Sequence, residues 1–256
     1  MLLAIDVGNT QTVLGLFDEA VLSEQFRVGT NPAQTADELA VLLRSLVDLG
    51  STEGIVLCSS VPPLVREYEA FADRRAGVDL LVLGPGVSTG MPIRYDDPRE
   101  VGPDRIANAV GARERHGAPC VVVDFGTSTN FDVVSAAGEF AGGVLAPGVQ
   151  ISMDALFSRA ARLPKVPFVA PERVISQTTV SALQSGLVYG FAGQVDAIVD
   201  RIRDELGTPE TPVVATGGLA ELIAPHSRSI TTVDPELTLQ GLRIVWERNR
   251  RAQTPG

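Results

Sequence analysis

The feature that most constrains this chain is an internal repeat. A short apolar run closes on Asp6-Val-Gly8-Asn9-Thr10 and a second apolar run follows; further along, the same arrangement returns around Asp124-Phe-Gly126-Thr127-Ser128. Leu2 to Ile5 and Val13 to Phe17 flank the first turn, and Ala118 to Val123 and Phe131 to Val134 flank the second. Each copy reads as strand, polar glycine turn, strand. Recurrence of one supersecondary unit in the two halves predicts a duplicated domain rather than a solenoid. The 256 residues leave room for two modest domains with cores of their own.

The repeated turn has a chemistry. Its glycine tolerates positive φ and lets backbone amides approach a ligand closely. Successive N–H groups beside short hydroxyl and amide side chains form a concavity suited to an anion. An Asp at the end of the strand can hold a cation that offsets the charge of a phosphate. One such turn alone is also an ordinary hairpin signal; two in equivalent settings favour phosphate binding.

Between the turns the chain alternates apolar runs with amphipathic stretches, as layered α/β folds do. Thr35-Ala-Asp-Glu38 reads as a capping box, and Leu39, Leu42, Leu43, Leu46 and Val47 follow at helical spacing. A strand is expected at Gly54 to Ser59, a helix from about Pro62, and a strand around Leu80 to Leu83. In the second half, Leu183, Leu187, Phe191, Val195, Ile198 and Ile202 mark one face of a long helix starting near Val180. Pro212 to Ala215 reads as a strand, and a last helix is expected from about Glu236 to Arg248. The expected domains are 1–116, with the first phosphate turn and a substrate motif, and 117–256, with the second turn and an adenosine motif. The last helix can pack back on the first domain, and the halves should meet around a central cleft.

Composition narrows the partners. Lys and Arg total 21 against 31 Asp and Glu, a formal net charge of −10, which argues against a nucleic-acid or anionic membrane surface. The basic tail Trp246-Glu-Arg-Asn-Arg-Arg251 reads as a solvated helix end. No apolar run approaches the ~18 residues a membrane span requires. The start, Met1-Leu-Leu-Ala-Ile-Asp6, lacks the basic segment of a signal peptide, so a cytoplasmic location is expected. Cys58 and Cys120 sit in apolar stretches and read as reduced core thiols. His116 and His226 lie far apart near turns and read as surface residues, which disfavours histidine triads and zinc sites. Lys165 is the sole lysine and no Gly-Lys-Ser/Thr surrounds it, so a P-loop is excluded.

Two further segments carry chemistry. Val213-Val-Ala-Thr-Gly217-Gly218-Leu-Ala220 is an apolar strand ending in two glycines ahead of a helix, a junction against which a flat nucleoside can lie. Tyr95-Asp-Asp-Pro-Arg-Glu-Val-Gly102-Pro103-Asp104-Arg105-Ile106 makes a tight turn into a helix whose buried side would carry Ile106, Ala109 and Val110. Asp104 can be a helix cap with Arg105 as a surface partner. The alternative is a carboxylate base beside a guanidinium fork shaped for an anionic substrate.

Taken together, these segments resemble the type III pantothenate kinases of the acetate and sugar kinase/Hsp70/actin superfamily, and the resemblance spans nearly the whole chain. Its markers here are Asp6-Val-Gly-Asn-Thr10, Ser59-Ser-Val-Pro-Pro63, Gly102-Pro-Asp-Arg105, Asp124-Phe-Gly-Thr127, Gly142-Gly-Val-Leu-Ala-Pro-Gly148, Thr178-Thr179 with Gln184-Ser-Gly186, and Thr216-Gly-Gly218. The resemblance implies two duplicated ribonuclease H-like, actin-like α/β domains around a cleft, and transfer of the ATP γ-phosphoryl group to pantothenate, the first step of coenzyme A synthesis. It implies that Asp6, Val7, Gly8, Asn9, Thr10, Gln11, Thr12 and Val13 form the first phosphate loop, with Asp6 near Mg²⁺ through water. Thr127 would bind ATP with Gly217 and Gly218, and Asp124 would hold K⁺ or NH₄⁺. Asp104 matches the proton acceptor; Tyr95, Gly102, Pro103, Arg105 and Thr179 match the pantothenate pocket. A homodimer is implied, which would bring Thr179 of one subunit near the other's site.

One position departs from the family. The second phosphate motif usually reads Gly-Thr-Ala-Thr-Thr-Phe-Asp, whereas here it is Gly126-Thr-Ser-Thr-Asn130-Phe-Asp132, with an amide in place of a hydroxyl. The phosphate turns alone also suit a superfamily kinase or phosphatase acting on a sugar or acetate. Some relatives are named Bvg accessory factors, which implies a nucleotide-binding regulator as a third reading. The Gly-Pro-Asp-Arg segment tilts the choice to pantothenate.

Overall fold

A computed structural model describes residues 1–160 and 163–253, which divide into two compact units. The first covers Met1–Glu114 and regains the chain at Leu237; the second covers Arg115–Glu236.

In the first unit, β1 (Leu2–Val7) turns into β2 (Gln11–Asp18), and β3 (Val21–Gly29) follows as a third antiparallel strand. The capping box forms as expected: Thr35 accepts from the Glu38 N–H, and the Glu38 side chain accepts from the Thr35 N–H, which starts α1 (Ala36–Leu46). The carboxyl group of Glu38 is held below its usual range by these bonds. β4 (Gly54–Ser59) then pairs parallel to β1, and α2 (Pro62–Phe71) leads to β5 (Asp79–Val82), parallel to β4. α3 (Pro103–His116) closes this part of the chain. The sheet order is β3-β2-β1-β4-β5. Leu3, Ile5, Val7, Leu14, Ile55 and Leu57 from the central strands meet Leu39, Leu43, Leu64 and Phe71 from the helices in one apolar core.

The second unit runs through β6 (Cys120–Phe125), β7 (Ser128–Val134) and β8 (Phe140–Pro147) before α4 (Val149–Arg159). α5 (Thr179–Leu206) is the long helix; β9 (Val213–Thr216), α6 (Ala220–Ile223) and β10 (Thr232–Val233) complete it. Its sheet order is β10-β9-β6-β7-β8. Read from the opposite edge, this is the first sheet again: an antiparallel three-stranded meander, then two parallel strands. The repeat seen in two turns extends to the whole of both sheets.

α7 (Leu237–Gln253) returns to the first unit and packs on β1, β2 and β4. Its approach depends on glycines. A Cβ on Gly241 would stand 1.9 Å from the Ala107 carbonyl oxygen of α3, and one on Gly54 would stand 2.1 Å from the Trp246 ring. Asn108, fully buried in α3, accepts a 2.7 Å hydrogen bond from the Thr238 hydroxyl at the same crossing.

Three strands and a helix were not anticipated from sequence: β3, β8, β10 and α4. One expectation needs correction. His116 is half-buried, not a surface residue: its Nε2 lies 2.9 Å from Asp234 Oδ2, which also accepts from Arg115 Nε at 2.8 Å. His226 is exposed as expected. Both cysteines are buried and free, again as expected.

Because backbone, not a flexible side chain, opposes the added atom, Gly241→Ala should destabilise the protein by about 3 kcal/mol through overpacking. A denaturant titration of the variant that superimposes on the wild type would show that α3 and α7 do not meet this closely.

Candidate active site

In the first unit the parallel register of β1 and β4 sets Asp6 beside Cys58. The Cys58 thiol donates to Asp6 Oδ1 at 3.2 Å. Past the end of β4, the Ser60 N–H donates to the Val7 carbonyl (2.9 Å), and the Ser60 hydroxyl donates to Asp104 Oδ2 (3.4 Å). The carboxyl ends of adjacent parallel strands, where α/β sheets ordinarily bind ligands, thus carry Asp6 and the partner of Asp104.

Asp104 is the second residue of α3, after Pro103, whose missing N–H costs nothing at that position. Its Oδ1 accepts from the Arg105 N–H at 2.9 Å, so the carboxylate faces the positive end of the helix. Gly102 makes this rotamer possible: a Cβ there would stand 2.5 Å from Asp104 Oδ1. Arg105 is only 5% exposed, and a guanidinium so buried favours an anionic partner. Tyr95 is half-buried in the segment between β5 and α3.

The first turn itself is four residues, Gly8 to Gln11, because Val7 pairs with Thr12. Gly8 N–H donates to the Gln11 carbonyl at 3.0 Å, closing it, while Asn9, Thr10 and Gln11 stand exposed. Val7 is fully buried, so only its backbone can reach a ligand.

The second turn is one residue shorter, Gly126 to Ser128, since Phe125 pairs with Thr129. Two backbone segments converge on it. Gly217 has φ +90°, and a Cβ there would stand 2.5 Å from Asp124 Oδ1 and 2.7 Å from the Phe125 nitrogen. A Cβ on Gly148 would stand 2.2 Å from the Thr127 carbonyl oxygen. Asp124 is half-buried, with Asn130 beside it on β7 and Thr216 on β9. Asn130 is buried, its Oδ1 accepting from the Ser128 hydroxyl at 2.6 Å, so the departure at this position is absorbed by a hydrogen bond inside the hairpin. Thr127 and Gly218 are exposed; Thr179 is exposed at the start of α5.

The structure therefore gathers Asp6, Gly8 to Thr12, Gly102, Pro103, Asp104 and Arg105 in one unit, and Asp124, Thr127, Gly217 and Gly218 in the other. Sequence reasoning missed Cys58 and Ser60. The marker Ser59-Ser-Val-Pro-Pro63 pointed to the region but not to the contacts with the two carboxylates.

The sequence model of the type III pantothenate kinase family matches residues 2–201. A type III pantothenate kinase of Moorella thermoacetica is 52% identical over 254 residues, covering 97% of this chain and 100% of the relative. One of Acidothermus cellulolyticus is 54% identical over 255 residues, covering 97% and 99%. This chain belongs to the type III pantothenate kinase family. Solved structures extend the likeness at the level of fold. A conserved Baf family protein of Campylobacter jejuni, described as a transcriptional activator, aligns with TM-score 0.62 at 18% identity over 97% of this chain and 99% of that one. The activator of 2-hydroxyisocaproyl-CoA dehydratase from Clostridium difficile, solved with bound ADPNP, aligns with TM-score 0.53 at 10% identity over 100% and 99%. With two equivalent mixed sheets, the chain has the duplicated ribonuclease H-like, actin-like fold.

The donor set at Asp6 suits a hard divalent ion such as the one kinases bind with ATP. Burial first, then the Asp6 and Asp104 charges, raise the Cys58 thiol well above its usual range. It therefore remains a hydrogen-bond donor and offers no soft thiolate, leaving carboxylate oxygen for a metal that keeps its waters and phosphate ligands. Burial likewise pushes Cys120 up to about 12. Neither cysteine of the native protein should react with iodoacetamide at pH 9, whereas both should after unfolding. Rapid native alkylation at Cys58, read by mass spectrometry, would contradict this account of the Asp6 neighbourhood.

Proposed function

We propose that this chain transfers the γ-phosphoryl group of ATP to the primary hydroxyl of pantothenate, giving 4'-phosphopantothenate and ADP in coenzyme A synthesis. The observation that carries the assignment of roles is Asp104. Its carboxylate is held at a helix start by a backbone N–H and the Ser60 hydroxyl, in the unit that also carries the Asp6 turn.

Phosphoryl transfer passes through a loose transition state, so positioning and charge stabilisation matter more than covalent participation by the protein. Asp104 orients the pantothenate hydroxyl and accepts its proton. Arg105 holds the pantothenate carboxylate through a charge-assisted contact of about 1.5–3 kcal/mol, with Tyr95, Gly102, Pro103 and Thr179 completing recognition. The turn from Gly8 to Gln11, with Asn9, Thr10 and Gln11 exposed, takes the ATP phosphates, and Thr127, Gly217 and Gly218 also bind ATP. A divalent ion, Mg²⁺ in this reading, neutralises phosphate charge when bound, and Asp6 holds it through water. Asp124 holds K⁺ or NH₄⁺: its half-buried carboxylate lies against backbone where only glycine fits.

A homodimer and a cytoplasmic location belong to the same reading. Leu145, Val169, Val174, Ile175 and Val180 of the second unit are exposed, Ile175 to 87%, more apolar side chain than a solvated face needs. Among the described residues no helix is long and apolar enough to cross a membrane. Sedimentation at micromolar concentration should give twice the chain mass; a fully active monomer would remove the dimer from the account.

The Asp104→Asn protein should fold and bind ATP normally yet lose roughly 10²–10⁴ in turnover, the usual contribution of a general base. Near-wild-type turnover would remove Asp104 from the mechanism.

A further inference from the structure

The residue that holds the first phosphate turn together lies outside it. Thr30 follows β3, and three of its bonds run to the turn or to Thr12 just after it. Its N–H donates to the Thr10 carbonyl at 3.0 Å. Its hydroxyl stands 2.7 Å from the Gly8 carbonyl oxygen and 2.9 Å from the Thr12 hydroxyl.

Counting protons gives this cluster a direction. A carbonyl can only accept, and a threonine hydroxyl has one proton. The Thr30 proton therefore goes to the Gly8 carbonyl, and the Thr30 oxygen accepts from Thr12. The order is Thr12 to Thr30 to Gly8, and the single side-chain proton of Thr12 is committed within it. Thr12 is also only 4% exposed. β3 makes a second contact of the same kind, with Arg27 Nη1 donating to Gln11 Oε1 at 2.9 Å. Because a guanidinium cannot accept, Gln11 is fixed with its carbonyl toward Arg27 and its NH₂ end directed elsewhere.

We propose that Thr30 is a positioning residue for ATP binding: it locks both arms of the Gly8–Gln11 turn through a one-way hydroxyl chain, and Thr12 serves that chain and donates nothing to phosphate. The proposal rests on the reading of this turn as the ATP-phosphate turn. It gives the exposed strand β3 a function, as the brace that keeps the exposed residues Asn9 to Gln11 in place in the absence of a P-loop lysine.

The test is ATP affinity by calorimetry, with steady-state kinetics beside it, for Thr30→Val, Thr30→Ser, Thr12→Val and the Thr12→Val/Thr30→Val pair. Valine keeps the shape and removes the hydroxyl, leaving the backbone bond to Thr10. Thr30→Val should weaken ATP binding about tenfold, the effect of losing one to two net hydrogen bonds, with KM for pantothenate within twofold of wild type. Thr30→Ser should restore ATP affinity. Thr12→Val should weaken ATP binding less, because the Thr30 bond to the Gly8 carbonyl survives, and the double variant should be no weaker than Thr30→Val, in which the Thr12 bond is already lost. Unchanged ATP affinity in Thr30→Val, no rescue by serine, or fully additive losses in the double variant would overturn the proposal. So would an equal loss for both substrates, which marks general damage to the fold. Should Thr30→Val fail to fold, Thr12→Val and Thr30→Ser carry the same comparison. Wild-type protein that binds ATP without phosphorylating pantothenate would overturn the functional reading while leaving the Thr30 test intact; wild-type protein that binds no ATP would overturn both.

Discussion

The parallel register between the first and fourth strands of each sheet is the constraint on which the rest depends. In the first unit it sets Asp6 against Cys58, and the chain leaving β4 then delivers Ser60 to the Asp104 carboxylate. In the second unit the same register sets Asp124 against Thr216, and the chain leaving β9 turns at Gly217 directly over Asp124. A shift of one residue in either pairing would turn the aspartate to the other face of its sheet. The register is secured by strands buried on both faces, Leu3 to Ile5 with Ile55 to Leu57, and Val121 to Val123 with Val213 to Ala215.

The two copies keep this scaffold and diverge at its tip. The first turn is longer by a residue, exposes Asn9, Thr10 and Gln11, and is braced from the side by Arg27 of β3 and by Thr30 just after it. In the second, backbone from Gly148 packs against Gly126 and Thr127, and backbone from Gly217 packs against Asp124 and Phe125. An open, braced turn suits a polyphosphate that arrives and leaves with each cycle. Main chain packed closely on a half-buried aspartate suits a smaller ion beside it. The divergence supports the assignment of ATP and its divalent ion to Asp6 and of a monovalent ion to Asp124.

Much of this was legible in the sequence because the deciding signals are local. The repeated Asp-x-Gly turns, the Thr35 capping box and the fully apolar runs of β4, β6 and β9 each identify themselves within a few residues. β3 and β8 did not. β3 alternates through Glu24, Gln25 and Arg27 on an exposed edge, and β8 carries Gly142, Gly143 and Pro147, residues that disfavour strands and form one here only by pairing with β7. The contacts of Cys58 and Ser60 were hidden for another reason. Their partners Asp6 and Asp104 are distant in sequence, and only strand register and the helix start bring them together. His116 looked like a surface residue because Asp234, its partner, lies beyond the whole second sheet in sequence.

The central claim is that both turns and the Asp104 helix serve one reaction, the phosphorylation of pantothenate. The most direct test is to incubate the purified protein with ATP and Mg²⁺, with and without pantothenate, and to follow ADP together with the mass of the product. The structure predicts one ADP released for each pantothenate phosphorylated, and negligible release when pantothenate is withheld. ADP release that is independent of pantothenate, or no turnover in its presence, would contradict it.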